Sequence, residues 1–108
     1  MENSYKDKKI YISGPMSNLP LLNFPAFEKA ASALRSFGAE VVSPNEIAMK
    51  FPDCWEKCMA EDIKALCDCE MIFMLKGWER SKGAHLELHI AHRLNLIIMF
   101  EREVNAIY

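Results

Sequence analysis

Residues 70–100 read EMIFMLKGWERSKGAHLELHIAHRLNLIIMF, and this stretch decides the fold. Glu70–Leu75 is almost wholly apolar, as expected of a strand covered on both faces. The loop KGWER follows, Ser81 is placed to cap a helix over 81–94, and Leu96–Phe100 is a second apolar run, read as a buried strand. Strand, helix and strand in that order imply two parallel strands joined by a right-handed crossover.

The same rhythm extends towards the N-terminus. Lys9–Ser13 (KIYIS) is a short β-rich run ended by Gly14-Pro15. Asn23 can cap a helix whose residues Phe24, Phe27, Ala31 and Leu34 keep helical spacing, with Gly38 as its stop. Glu40–Ser43 is another strand, closed by Pro44, and NEIAMKFPDC reads as a loop. A helix near 55–68 carries Trp55, Met59, Ile63 and Leu66 as its apolar stripe. Four alternations predict one domain over residues 1–108, an α/β fold built as a three-layer α/β/α sandwich. Its flavodoxin-like parallel sheet would have strand order 2-1-3-4, with the tail REVNAIY as a possible fifth strand. Ligands of such sheets bind beyond the carboxyl ends of the strands, here at the loops GPMSN, PNEIA and KGWERSKG.

Glu87 is out of place on this pattern. On a helix over 81–94 it falls in the middle of the apolar face beside Gly83, Ala84, Ile90, Ala91 and Leu94, while His85, His89, His92 and Arg93 lie opposite. A carboxylate aimed at the core must be paired, neutralised or used. It also lies under two turns from the loop expected to border the ligand cleft.

Composition narrows the partners. A net charge of −2 argues against a nucleic-acid polymer or an anionic membrane as main partner, and leaves small nucleotides open. The N-terminal MENSYKDKK does not read as a signal peptide, and no apolar run approaches the roughly 20 residues that span a bilayer. Cys54, Cys58, Cys67 and Cys69 lack the usual zinc spacings and read as reduced thiols of a cytoplasmic protein, with zinc as the alternative.

Several residues carry two readings. Gly14-Pro15 is a strand-ending turn and not a dinucleotide fingerprint. Ser81-Lys82-Gly83-Ala84 either caps a helix or offers an anion or hydroxyl site. Asp62, at the edge of its helix's stripe, reads as a boundary residue reaching solvent. Trp78 either stacks on a planar ligand or closes the top of the core. His85 and His89 have a metal-ligand spacing, but H-L-E-L-H is not H-E-x-x-H, and a solvated or subunit-facing surface is the alternative.

IYISGPM at 10–16, the helix with Asp62 (AEDIKALCDCEMIF) and S-K-G-A-H-L-E-L at 81–88 together resemble the nucleoside 2-deoxyribosyltransferase superfamily. That group includes the 2′-deoxynucleoside 5′-monophosphate N-glycosidases. Most similar is a branch of small phage and bacterial proteins with the pattern SGPM…NFPAF…GWE.S.GA..E, and the resemblance covers roughly residues 9–100. It implies that Glu87 is a nucleophile attacking the anomeric carbon, that Tyr11 orients it, and that Asp62 protonates or holds the leaving base. Gly14, Pro15, Met16, Asn23, Trp78, Ser81 and Gly83 would border the substrate, with Ser81 near its 5′ end. No cofactor and no metal are implied, and a homodimer or higher homo-oligomer is. Position 17 is Ser where the monophosphate hydrolases carry a phosphate-gripping arginine, a role Arg80 or Lys82 could take. In the transferases a neighbouring subunit's C-terminal region helps complete the site; this chain is shorter than the transferases and lacks their longer C-terminal segment, which leaves open whether Asn105–Tyr108 serves instead. The expected activity is cleavage or transfer of an N-glycosidic bond on a nucleoside or nucleoside 5′-monophosphate. The alternative is a non-catalytic nucleotide-binding or sensing module using the same pocket.

Overall fold

The computed structural model describes residues 5–17, 19–51 and 53–102. Four strands form one sheet: β1 (Lys9–Ser13), β2 (Glu40–Val42), β3 (Met71–Met74) and β4 (Ile97–Phe100). All pairings are parallel and the order is β2-β1-β3-β4. Ile10 lies opposite both Val41 and Met71, and Met71 opposite Ile97, so the strands end almost level. The α/β, flavodoxin-like architecture expected from the alternation is the one found.

Period-two alternation divides β1 between two cores. Ile10 and Ile12 pack with Phe27, Ala31 and Leu34 of α1 (Phe24–Ser36) on one face. Tyr11 and its neighbours Ile72 and Met74 on β3 pack on the other face, with Leu66 of α3 (Trp55–Cys67) and Ala84 and Ala91 of α4 (Lys82–Arg93). Helices on both faces complete the three layers. α1 ends where Gly38 takes a φ of 89°, and its last carbonyls are met by Gly38 and Ala39 N–H groups.

Four expectations need correction. Residues 44–48 are not loop: Pro44–Ala48 forms a short helix, α2, begun by a proline whose fixed φ suits the first helical position. Ser43 precedes it and its hydroxyl bonds the Asn45 side chain. β4 is not a buried strand, because it ends the sheet order, and Ile97 and Phe100 are exposed there. On α3 the buried stripe is Met59, Asp62 and Leu66, and Trp55 is 55 % exposed, since the first turn of the helix overhangs a cleft instead of the sheet. Asp62, read as reaching solvent, is only 8 % exposed. The proposed fifth strand and the Asn105–Tyr108 segment lie outside the described residues. Among those residues no helix is long and apolar enough to cross a membrane, and the four cysteines are free thiols.

Candidate active site

The chain passes from β1 outward to β2, then from β2 back across β1 to β3 and outward to β4, so strand order reverses between β1 and β3 and the loops that follow these two strands part at their carboxyl ends. A cleft of about 1220 Å³ opens there. Gly14 makes the junction possible: a Cβ at this position would stand 2.8 Å from Leu75 Cβ, so the first loop could not lie against the end of β3. Gly83 acts similarly between helices, since its Cβ would stand 3.3 Å from Met59 Sδ.

At the floor of the cleft is Glu87, 4 % exposed, on the buried line Ala84, Glu87, Ala91 of α4. Tyr11 and Ser13, two apart on β1, face it together. Tyr11 Oη donates to Glu87 Oε2 at 2.7 Å, and Ser13 Oγ donates to Oε1 at 2.6 Å. Each carboxylate oxygen therefore has its own hydroxyl, and all three side chains are buried. Ser13 was not singled out in the sequence, although its place two residues after Tyr11 on a strand already signals a shared face.

Asp62 enters the same cleft from α3, and its buried Oδ1 has no hydrogen-bond partner. Burial pushes Asp62 up to about 7, the charge of Glu87 and then Glu61 push the same way, and the Tyr11 hydroxyl pulls it down. Burial likewise pushes Glu87 up to about 7, against the Ser13 and Tyr11 hydrogen bonds that favour its ionised form. Burial and the two neighbouring carboxylates hold Tyr11 well above the usual phenol range, so it remains a donor. Two carboxyl groups that titrate near neutrality and repel each other favour a state with one charge and one proton between them. Glu87, with two donors, is the better holder of the charge, and Asp62, with an orphan oxygen, the better holder of the proton. Such a pair can attack an electrophilic carbon and protonate a leaving group in one cleft.

Of the other residues expected near a ligand, Gly14, Pro15, Met16, Asn23, Ser81 and Gly83 line this cleft. Asn23 does not cap α1. It adopts a left-handed φ of 59°, following Leu21 and Leu22 at 53° and 51°, and its Nδ2 donates to the Pro15 carbonyl at 2.8 Å. The first loop is thereby tied to the start of α1. Ser81 does cap α4, its Oγ accepting from Ala84 N–H at 3.1 Å. Tyr11 does not itself line the cleft and bears on it through the carboxyls of Glu87 and Asp62.

Trp78 is elsewhere. It borders a separate, smaller cavity and stacks between His85 and Phe100, at ring-centroid distances of 5.1 and 5.8 Å. The short 3-10 turn Trp78–Arg80 carries the indole over the end of β4, which is the core-closing reading. His85 also bonds the Glu79 carbonyl through Nε2 at 2.8 Å, and His89 and His92 are exposed. Among the described residues no group of three His, Cys, Asp or Glu side chains could hold a metal ion.

Sequence reasoning also missed part of the cleft's rim. Leu22, Met49 and Trp55 line it and are exposed, and Lys76 lines it beside Arg80 and Lys82, the two cations already expected there. No curated protein matches the chain. Residues 8–100 match the family described as a domain of unknown function, DUF4406, and the chain belongs to that family.

Proposed function

We propose that this protein breaks or transfers the N-glycosidic bond of a nucleoside or nucleoside 5′-monophosphate, as the resemblance to the nucleoside 2-deoxyribosyltransferase superfamily implies. The observation that carries the reading is Glu87: a buried carboxylate, gripped by two hydroxyls, facing a cleft that also holds Asp62. In the proposed reaction Glu87 attacks the anomeric carbon, the bond to the base breaks, and the base leaves with the proton of Asp62. Both electrons of the broken bond go to the base nitrogen, and the sugar remains as an ester on Glu87. Water attacking the same carbon gives hydrolysis, and a second base gives transfer; Asp62 takes back a proton from either. The cations Arg80 and Lys82 in the lining of the cleft support acceptance of a 5′-phosphate in place of an arginine at position 17. The apolar mouth suits the faces of a base and a sugar.

The test is base release, followed by chromatography, from a panel of deoxynucleosides and their 5′-monophosphates. Wild type is expected to liberate base from at least one, and Glu87→Ala from none while remaining folded by circular dichroism. Substrates that raise the melting temperature without releasing base would reverse the conclusion in favour of a nucleotide-binding module.

A further inference from the structure

Two hydroxyls hold Glu87, and they are not equivalent. Tyr11 is set between carboxylates, facing Asp62 as well as Glu87, and has one proton to give. Ser13 is fully buried, and its hydroxyl bond to Glu87 Oε1, at 2.6 Å, is the shorter of the two. Its backbone is locked as well, because the Ser13 carbonyl accepts from Leu75 N–H at 2.8 Å at the end of the β1–β3 ladder. An oxygen on a locked strand end, inside a closed core, has little freedom to follow another partner.

We propose that Ser13 is the positioning residue for Glu87: its hydroxyl pins Oε1 and so fixes which edge of the carboxylate is presented to the cleft. The proposal rests on the glycosidic reading for its catalytic consequence, but not for its physical content. Tyr11 alone leaves a carboxylate free to pivot about the Oε2 contact, whereas two donors on two oxygens define its plane. Both donors come from one strand, two residues apart, so the spacing of the grip is set by the strand's own repeat.

The same bond favours the charged form of Glu87 against the burial that opposes it, and it is the larger of the two hydroxyl contributions. The groups that bear on Glu87's ionisation are Tyr11 and Ser13 from β1 and Asp62 from α3. Cys58, Asp53, Lys76, Arg80 and Lys82 line the same cleft. Loss of a buried hydrogen bond to a carboxylate raises its titration midpoint by about one to two pH units. Removing the Ser13 hydroxyl therefore leaves less of the nucleophile ionised at neutrality.

The experiment is a titration of the Glu87 carboxyl carbon by ¹³C NMR in wild type, Ser13→Ala and Ser13→Cys, with base release measured over the same pH range. The midpoint is expected to rise by about one unit or more in Ser13→Ala, and by less in Ser13→Cys, whose thiol is a weaker donor. The acidic limb of base release should move by the same amount in each variant. A midpoint that stays at its wild-type value in a folded Ser13→Ala protein overturns the proposal. A midpoint that moves as expected, in a protein from which even wild type releases no base, upholds the role of Ser13 and removes the glycosidic reading. Should Ser13→Ala not fold, the Cys variant decides alone: an unmoved midpoint there overturns the proposal.

Discussion

Replacing Glu87 by Gln isolates what burying that carboxylate costs the fold. The group titrates at about 7 in the folded chain against an ordinary value of 4.5, so folding favours its neutral form. Between those two values the folded chain binds more protons than the unfolded one, and stability falls as pH rises. Below about 4.5 and above about 7 the contribution is flat. At about 1.4 kcal/mol per pH unit, the full descent is roughly 3 kcal/mol. A Gln side chain does not ionise and escapes it. Its amide cannot accept from both Tyr11 and Ser13, however, so one hydroxyl must turn away, at a loss of about 1 kcal/mol. The variant is therefore expected to be more stable than wild type by about 2 kcal/mol above neutrality, and no more stable at about pH 5. For a domain of this length that is a rise in Tm of roughly 10 °C. Thermal unfolding by circular dichroism at about pH 5 and about pH 8.5, on both proteins in the same buffers, reads the difference with the other titrating groups largely cancelled. A Tm difference that is the same at both pH values would refute the reasoning. Glu87 would then be ionised in the fold at no cost, and burial would not be what sets its titration.

Further expectations follow from neighbouring features. Asp62→Asn should slow release of a neutral base by about 10²-fold or more, and spare a purine already made cationic by N7 methylation, which leaves without a proton. Competition kinetics on the two nucleosides measure that contrast, and equal slowing of both would remove Asp62 as the acid. Gly14→Ala places a Cβ 2.8 Å from Leu75 Cβ and should destabilise by about 1–3 kcal/mol in urea unfolding, and an unchanged midpoint would remove the close approach as a constraint. Trp78→Ala should cost about 1–3 kcal/mol of stability through lost packing on His85 and Phe100, and leave the KM for any substrate within about twofold. A large rise in KM would return the indole to the binding surface.

The fold was legible because its strands are nearly pure apolar runs and its helices carry regular stripes. Glu87 was legible for the same reason inverted, as a charge on the line of Ala84 and Ala91. What escaped depended on tertiary placement. Asp62 lies at the edge of its helix's apolar arc, and only the packing around α3 decides that this edge is covered. Ser13 looks like any small residue ending a strand until α4 brings Glu87 against it. Asn23 has the composition of a helix cap, but a left-handed backbone turns its amide back onto Pro15. Trp78 left two readings open because a tryptophan in a glycine-containing loop can face either way, and only the tertiary fold brings His85 and Phe100 against it.

The bonds that hold Glu87 join residues 76 and 74 positions apart, from the first strand to the last helix. Closing a loop of that length is among the slower steps available to a chain of this size, and nothing local rewards it in advance. The carboxylate can therefore remain hydrated through the early stages of folding, and loses its water only when α4 docks on a sheet already joined to β1. Any partly ordered state has the residues of the site without the site, and a chain still lacking its last third lacks Glu87 itself. On the proposed reading, turnover then reports how much of a sample has folded to completion, a stricter count than helix content or compactness provides.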